Sequence, residues 1–278
     1  MRDSGLRPVV KWAGGKRRLL DRILPLVPDD VSIYCEPFVG GGAVWLAVRP
    51  DRAVVNDRNT DLADLYWTLG DGNRTEAMLD LLRAWPDDKD FFMEVRSWDR
   101  DPDYFATRNA VVRAARLVYL NRLCFNGLFR VNAKGEFNVP YDGTRKGPRP
   151  AFDPSRFRAV GEYLRSASVM CLNGDFEEAM STASVPGGFI YADPPYDSES
   201  GGFTSYQGRF DRDEQARLKQ ACDEAGRKGT RILASNADTP FIRKLWDGYD
   251  IIPITAPRSI SADGGRRKAA GEVLIKNY

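Results

Sequence analysis

The stretch Tyr191-Ala192-Asp193-Pro194-Pro195-Tyr196 directly follows Gly187-Gly188-Phe189-Ile190, and together they decide the fold class. The apolar residues between the glycines and Asp193 are typical of a short buried strand. Each proline favours extended backbone in the residue before it and has no N–H group to donate. The sequence therefore predicts a strand that ends in a stiff ledge of carboxylate and carbonyl oxygens, with the ring of Tyr196 beside it.

A similar strand end occurs earlier in the chain. The β-rich Ile33-Tyr34-Cys35 leads into the glycine turn Gly40-Gly41-Gly42, and the apolar run 43–48 then predicts a helix. A strand, a glycine turn and a helix in this order form the nucleotide-binding unit of an open α/β sheet. The next predicted strand, 53–56, ends at Asp57, where an acid is placed to bind both hydroxyls of a ribose. Because the turn lacks the third glycine of a dinucleotide motif, the pattern favours a smaller nucleoside cofactor.

Composition excludes several kinds of site. The chain has 278 residues and no histidine, so histidine triads, histidine metal ligands and imidazole bases are ruled out. Its four cysteines are scattered without metal-ligand spacing, which indicates reduced thiols in a cytoplasmic protein. No apolar run is long enough for a transmembrane helix, and the N-terminus has no signal-peptide core. We therefore expect a cytoplasmic protein that uses neither a metal nor a membrane.

Charge is unevenly distributed along the chain. The net charge is only +2, but residues 96–168 contain 14 Lys and Arg against 7 Asp and Glu. A basic segment in a nearly neutral chain indicates either a surface that faces a polyanion or a solvated helix face. Helical apolar spacing covers 61–82, before this region, and 107–123, within it, and Ala133-Lys134-Gly135 predicts a β-hairpin turn. Side chains suited to base edges and phosphates flank that turn: Asn126, Arg130, Asn132, Lys134 and Asn138.

The α/β pattern resumes after the helical region. Residues 168–172 and 231–236 predict strands, and 251–254 with 272–275 predict a final antiparallel pair. The carboxyl ends of parallel strands meet at one crevice of an open sheet. The features expected there are the glycine turn, Asp57, Asp175-Phe176 and the Asp193 ledge. A nucleoside cofactor beside an acceptor ledge, with a basic hairpin nearby, describes a methyltransferase that acts on an exocyclic amine of a base.

The motifs that carry a family resemblance follow one order along nearly the whole chain. They are Lys11-Trp12-Ala13-Gly14-Gly15-Lys16, Glu36-Pro37-Phe38-Val39-Gly40-Gly41-Gly42, Phe125-Asn126-Gly127-Leu128-Phe129-Arg130, Gly135-Glu136-Phe137-Asn138-Val139-Pro140, Asp193-Pro194-Pro195-Tyr196, Phe203-Thr204, Ser235-Asn236 and Arg258-Ser259-Ile260-Ser261. In these motifs the chain resembles the Dam-type DNA adenine-N6 methyltransferases. The resemblance implies a Rossmann-like S-adenosylmethionine-dependent methyltransferase sheet, with residues 1–62 and 153–278 as the catalytic domain. It also implies an inserted, mainly helical target-recognition domain at 63–152 that bears a β-hairpin and binds DNA.

The resemblance also implies a reaction and a set of site residues. The reaction is transfer of a methyl group from S-adenosylmethionine to N6 of a flipped adenine in double-stranded DNA, within GATC. The catalytic residues are Asp193, Pro194 and Tyr196. The cofactor-binding residues are Trp12, Lys16, Phe38, Gly40, Gly42, Asp57, Asp175, Phe176 and Asp193. The DNA-binding candidates, taken from the hairpin donors and the resemblance together, are Lys11, Phe125, Asn126, Leu128, Arg130, Asn132 and Pro140.

Three alternatives stay open at this point. A cytosine-N4 methyltransferase more often carries serine at the position of Asp193, and a protein-glutamine methyltransferase more often carries asparagine there. The third alternative is a catalytically inactive DNA-binding relative. The intact Asp57 and Asp193 ledge argue against it, because DNA binding alone requires neither. One departure concerns Asp142, which stands where the family commonly has glycine, and Arg145 or Lys146 is expected to supply the basic group instead. Residues 198–209 are expected to form a mobile lid, and residues 257–268 a basic, flexible loop that either is simply exposed or contacts phosphate. We expect a monomer in solution.

Overall fold

The computed structural model describes residues 5–144, 152–198, 210–254 and 271–278. Nearly all of the predicted lid, the predicted basic loop 257–268 and the pair Arg145-Lys146 lie outside the described residues. Within the described residues, no helix is both long and apolar enough to cross a membrane.

A seven-stranded mixed sheet forms the centre of the molecule. Its strands are β1 (Ile33–Glu36), β2 (Arg52–Asn56), β3 (Ser168–Leu172), β4 (Gly188–Ala192), β5 (Arg231–Ala237), β6 (Asp250–Ile254) and β7 (Glu272–Lys276). They lie in the order β3-β2-β1-β4-β5-β7-β6. Strands β1 to β5 are parallel, and β7 runs antiparallel to both β5 and β6. The predicted open α/β sheet and its final antiparallel pair are confirmed.

The chain order reverses between β1 and β4, which are direct neighbours, with Cys35 paired to Ile190. The glycine turn after β1 and the Asp193 ledge after β4 therefore leave the sheet side by side. Open α/β sheets bind ligands at such a reversal, outside the carboxyl ends of the strands. Every residue of β1 and β4 is buried, since helices cover both faces of the sheet.

Eleven α-helices accompany the sheet within the described ranges. They are α1 (Leu20–Ile23), α2 (Ala43–Val48), α3 (Thr60–Leu69), α4 (Gly72–Ala84), α5 (Lys89–Ser97), α6 (Tyr104–Thr107), α7 (Ala110–Leu123), α8 (Pro154–Ser166), α9 (Phe176–Ala183), α10 (Arg212–Arg227) and α11 (Pro240–Leu245). Short 3₁₀ turns cover Lys16–Leu19, Leu24–Leu26, Trp98–Arg100 and Phe125–Gly127. In α3, α4, α5 and α7 an Asn or Asp side chain before the first turn accepts a backbone hydrogen bond, which fixes where the helix begins.

The helical insert between β2 and β3 shares its core with the sheet. One apolar cluster joins Trp45 of α2, Leu65 of α3, Leu117 of α7 and Tyr163 of α8. A second cluster on the opposite face of the sheet is built from α9, α10 and α11. The insert thus packs on one face of the sheet and is continuous with that face's core.

Residues 124–141, called here the hairpin loop, follow α7. Two isolated antiparallel bridges join Cys124 to Tyr141 and Val131 to Phe137, and no longer strand forms between residues 124 and 141. The predicted turn is present, because Gly135 has a φ of +82° and its N–H donates to Asn132 O at 3.0 Å. Single backbone hydrogen bonds, such as that from Asn138 N to Arg130 O at 3.0 Å, and side-chain contacts together hold the two arms of this loop.

Candidate active site

The carboxyl edge of the sheet opens into a cavity of about 1180 Å³ at the ends of β1 and β4. Its wall combines segments that are far apart in sequence: 8–18, 38–41, 57–59, 126–129 and 193–196. The glycine turn, the Asp193 ledge and part of the hairpin loop thus face a single space. A cavity of this size accommodates a nucleoside cofactor together with part of a second substrate.

Asp193 follows β4, and both of its carboxylate oxygens are held. Ser235 on β5 donates its hydroxyl to Oδ1 at 2.6 Å. Lys16 Nζ lies 2.8 Å from Oδ2, and it also donates to Gly14 O at 2.6 Å. Behind Ser235, the Tyr191 hydroxyl lies 3.3 Å from Ser235 Oγ. These contacts fix the orientation of Asp193. Because a carboxylate oxygen can accept more than one hydrogen bond, each oxygen can still accept a further donor.

The rest of the ledge is fixed by contacts to neighbouring elements. Gln215 of α10 donates to Pro195 O at 2.8 Å. The Tyr196 hydroxyl donates to Glu272 Oε2 at 3.3 Å, which ties the ring to the start of β7. Lys16 Nζ lies 4.8 Å from the centre of the Tyr196 ring. Tyr196 therefore presents an anchored aromatic surface in the cavity, close to the Asp193 carboxylate.

Asp57 follows β2 and orders the glycine turn. Gly40 N donates to Oδ2 and Asn59 N donates to Oδ1, both at 2.9 Å. Burial raises the pKa of Asp57 above its ordinary value, and the two backbone hydrogen bonds oppose that rise. The carboxylate is thus held at the cavity wall with acceptor capacity remaining on each oxygen, as the binding of two vicinal hydroxyls requires.

Trp12 lies between the glycine turn and the hairpin loop. Gly40 has a φ of +48°, and a Cβ on it would lie 2.8 Å from Trp12 Cδ1. On its other side, the Trp12 ring stacks on Phe129, with ring centroids 4.7 Å apart and planes at 22°. The glycine at position 40 is therefore required both by its left-handed backbone and by the close indole.

Glu36 at the end of β1 is a buried acid in the cavity wall, only 3% exposed. Its side chain accepts a hydrogen bond from the Tyr34 hydroxyl. Burial raises the pKa of Glu36 to about 8, the Tyr34 hydrogen bond opposes the rise, and the negative charge of Asp193 adds to it. Because Glu36 keeps its proton up to about pH 8, it does not place a second buried negative charge beside the Asp193 side chain.

Asp175 and Phe176 lie behind the cavity wall. Asp175 precedes α9, where its carboxylate accepts from Glu177 N at 3.0 Å and pairs with Arg217. Burial raises the pKa of Asp175, but these hydrogen bonds outweigh it, so the pKa lies below its ordinary value. Phe176 is buried with its ring centre 5.4 Å from that of Phe38, which lines the cavity. Phe176 therefore supports Phe38 from behind, and Asp175 fixes the start of α9.

Gly42 also lies behind the wall and ends the glycine turn. Its φ is +73°, and a Cβ on it would lie 2.9 Å from the Tyr66 hydroxyl. That hydroxyl donates to Gly40 O at 2.9 Å. Gly42 thus allows Tyr66 to brace the part of the turn that faces the cavity.

The hairpin loop exposes the apolar and basic side chains that the sequence singled out. Phe125 and Leu128 are each 41% exposed, which is unusual for large apolar side chains. Asn126 has a φ of +57°, and Pro140 O accepts from Phe125 N at 2.9 Å. Arg130 is exposed, and its Nε donates to Asn138 Oδ1 at 2.8 Å.

Lys11 lies next to this loop, whereas two polar side chains of the region turn inward. Lys11 is exposed and lines the cavity with Leu128. Asn132 uses its Oδ1 to accept from Lys134 N and its Nδ2 to donate to Glu136 at 2.7 Å. Asn132 therefore shapes the turn. Asp142 likewise accepts from the Thr144 hydroxyl at 2.7 Å, which explains how an acid is accommodated here.

Sequence reasoning did not assign three residues that the structure places at the site. Ser235 contacts Asp193, Glu36 lines the cavity, and Asn121 joins Lys11 to the hairpin loop. The pairing of β4 with β5 would have identified Ser235, because Ala192 pairs with Ala234 and Asp193 and Ser235 are the next residues on each side. No local pattern identifies Asn121, which is 110 residues from its partner. In the described part of the chain, no group of three or more His, Cys, Asp or Glu is arranged to hold a metal ion.

Comparison with known proteins gives a consistent result. The family model for the D12 class N6 adenine-specific DNA methyltransferases matches residues 12–260. The type II methyltransferase M1.LlaDCHI of Lactococcus lactis subsp. cremoris is 38% identical over 278 residues, covering 98% of this chain and 96% of its own. The type II methyltransferase M.MjaIII of Methanocaldococcus jannaschii is 34% identical, covering 98% and 99%. A DNA adenine methylase of Vibrio cholerae serotype O1 is 33% identical, covering 96% and 95%.

Proposed function

The chain belongs to the D12 class of N6 adenine-specific DNA methyltransferases, and we propose that it transfers a methyl group from S-adenosylmethionine to a flipped adenine within GATC. The family match favours adenine N6 over cytosine N4 and over a protein glutamine. The intact Asp57 and Asp193 ledge supports an active enzyme over an inactive DNA-binding relative. The observation that carries the proposal is the position of Asp193. Its carboxylate lies in one cavity with the glycine turn and Asp57 on one side and residues 126–129 on the other.

S-adenosylmethionine suits the donor side of this cavity. Asp57 is held by two backbone N–H groups with acceptor capacity left for a ribose diol. The turn at Gly40 and Gly41 has no side chains to obstruct a nucleoside, and Trp12 and Phe38 supply apolar surface. We assign cofactor binding to these residues with Lys16 and Asp193, and a supporting role to Gly42, Asp175 and Phe176.

When bound, the cofactor supplies an electrophilic methyl group on a sulfonium. The lone pair of adenine N6 is delocalised into the ring, so the amine needs help to attack. Asp193 and the carbonyl of Pro194 accept hydrogen bonds from the two N6–H groups. This arrangement directs the lone pair of N6 out of the ring plane. Asp193 then stabilises the positive charge that develops on N6 as the carbon–sulfur bond breaks and the nitrogen–carbon bond forms, and N6 afterwards releases one proton to water. Because the acid is pre-oriented by Ser235 and Lys16, no reorganisation is needed during reaction.

Adenine reaches this site only outside the duplex, which costs a few kcal/mol of unstacking and unpairing. Stacking of the flipped base on Tyr196 returns about 1–3 kcal/mol. Phe125, exposed at the tip of the 3₁₀ turn, fills the space that the base leaves in the stack. Both aromatic side chains therefore favour the flipped state.

The exposed hairpin loop reads the sequence. Arg130 pairs with a guanine, and Leu128 and Pro140 contact a thymine methyl group. Lys11 and Asn126 supply further donors on the same side, while Asn132 acts through the shape of the turn. We assign target recognition to residues 63–152 and catalysis to 1–62 and 153–278, acting as a monomer.

The test is methylation of random duplex DNA with radiolabelled S-adenosylmethionine, followed by mapping of the modified base and its context. We expect N6-methyladenine in GATC. Modified adenine in another context would overturn the GATC assignment alone, and modified cytosine would overturn the proposed reaction.

A further inference from the structure

Asn121 is a buried amide in the last turn of α7, only 6% exposed. A buried amide without partners is costly, so its contacts indicate what the residue is for. Asn121 Oδ1 accepts from Lys11 N at 2.9 Å, and Nδ2 donates to Lys11 O at 2.8 Å. The same Nδ2 donates to Gly127 O at 2.9 Å. One side chain therefore binds the backbone of two separate segments.

The two segments are in close contact where Asn121 joins them. Gly127 has a φ of +66°, and a Cβ on it would lie 2.6 Å from Lys11 Cδ. The aliphatic part of Lys11 thus lies flat against the backbone of the hairpin loop. The distance between these segments is set by the amide of Asn121 and by the absence of a side chain at position 127.

Each segment carries side chains that the proposed function assigns to DNA. Lys11 belongs to the first, and the second continues directly into Leu128 and Arg130. We propose that Asn121 is a positioning residue that sets the register between Lys11 and the hairpin loop, and so determines how well the enzyme discriminates its target sequence. This inference rests on the proposed function, but it concerns discrimination and leaves the chemistry to Asp193.

The test compares wild type with Asn121→Asp, which keeps the size and the acceptor for Lys11 N. It loses the two donors and places a carboxylate against the carbonyls of Lys11 and Gly127. The measured quantity is the ratio of kcat/KM for the duplex that wild type prefers to kcat/KM for duplexes with one base pair changed. We expect this ratio to fall about tenfold, the discrimination of roughly one base contact. The dissociation constant for S-adenosylmethionine should stay within about threefold.

A second variant and a control make the result decisive. Gly127→Ala leaves the amide of Asn121 intact but pushes Lys11 away, and it should lower the same ratio. If Asn121→Asp does not fold, Gly127→Ala alone tests whether the contact between Lys11 and the hairpin loop controls discrimination. Asn73→Asp, at an exposed position of α4, should change nothing. Equal losses on preferred and altered duplexes would overturn the positioning role. A wild-type enzyme without sequence preference would instead overturn the recognition part of the proposed function.

Discussion

The ammonium group of Lys16 lies 2.8 Å from Oδ2 of Asp193. This ion pair connects the N-terminal segment 8–18 of the cavity wall to the ledge after β4. The side chains are 7% and 19% exposed, so each charge depends on the other for compensation. The pair holds the acid of the ledge in one orientation before any substrate arrives. A neutral replacement of Asp193 therefore removes both an acceptor and the counter-charge of Lys16.

Asp193→Asn should abolish methyl transfer and leave the fold intact. The amide keeps the shape of the side chain but offers one acceptor oxygen instead of two and no charge. We expect kcat to fall at least about 10²–10³-fold, as when a transition-state hydrogen-bonding group is lost elsewhere. The measurement is single-turnover methylation together with circular dichroism. Asp213→Asn, at an exposed position of α10, is the matched control. Full activity of Asp193→Asn would contradict the assignment.

Ser235→Ala should lower kcat about tenfold. A hydrogen bond to a charged group contributes about 1.5–3 kcal/mol, and we expect the low end of this range because Lys16 still holds the other carboxylate oxygen. The KM for DNA should change little, since Ser235 lies behind the acid. Tyr191→Phe should have a smaller effect in the same direction, because Tyr191 acts through Ser235. Ser181→Ala on α9 serves as control. An equal kcat in wild type and Ser235→Ala would show that Asp193 needs no orientation from β5.

Gly40→Ala should weaken the binding of S-adenosylmethionine about tenfold or more. The new methyl group would lie 2.8 Å from Trp12 Cδ1, and the backbone at φ +48° is strained for alanine. Either the turn or the indole must move, and both line the donor side of the cavity. Isothermal titration calorimetry measures the loss. Gly72→Ala, where a Cβ meets nothing within 4 Å, is the control and should bind normally.

Much of the fold and part of the site could be predicted from the sequence for a physical reason. Strands that are buried on both faces are short apolar runs, and glycine and proline mark their ends. Local sequence therefore predicts β1, β2 and β4 and the edge of the sheet at which the cavity lies. By contrast, the polar, aromatic-rich stretch 87–103 has no clear periodicity in the sequence, because α5 is short and depends on the cap from Asp88. The Asn121 and Ser235 contacts depend on tertiary neighbours, and no periodicity records them.

Arg130→Ala should relax discrimination at one guanine by about 1–3 kcal/mol. The contact with Asn138 uses Nε of Arg130, so the terminal amino groups can present two donors to the base. The readout is the rate on duplexes in which each position of the preferred site is changed in turn. Arg83→Ala on α4 is the control for loss of positive charge. A uniform decrease across all duplexes would assign Arg130 to phosphate binding instead.

Glu36 makes stability depend on pH in a specific direction. An unfolded glutamate ionises near 4.5, whereas folded Glu36 keeps its proton until about pH 8. Between these values the folded protein binds the extra proton, so stability falls as pH rises, by up to about 1.4 kcal/mol per pH unit. Glu36→Gln cannot ionise and still accepts from Tyr34. It should unfold like wild type at pH 4.5 and be more stable at pH 8.5 in urea titrations.

The matched control for this titration is Glu162→Gln, at an exposed position of α8. It should follow the wild-type curve at both pH values. If the free energy of unfolding changed with pH equally in wild type and Glu36→Gln between pH 4.5 and 8.5, Glu36 would be ionised in the folded protein throughout this range.

The shared core of the insert and the sheet limits how new target specificities can arise. Exchanging all of 63–152 with a relative would replace one half of a continuous apolar cluster and leave the other half unmatched. The hairpin loop contributes only a few buried residues to that cluster, Cys124, Phe137 and Val139. It is closed at its base by the bridge between Cys124 and Tyr141, and it carries the exposed Phe125 and Leu128. We expect the hairpin loop to keep its position after exchange between family members only when Asn121 and Lys11, which hold it, are exchanged with it.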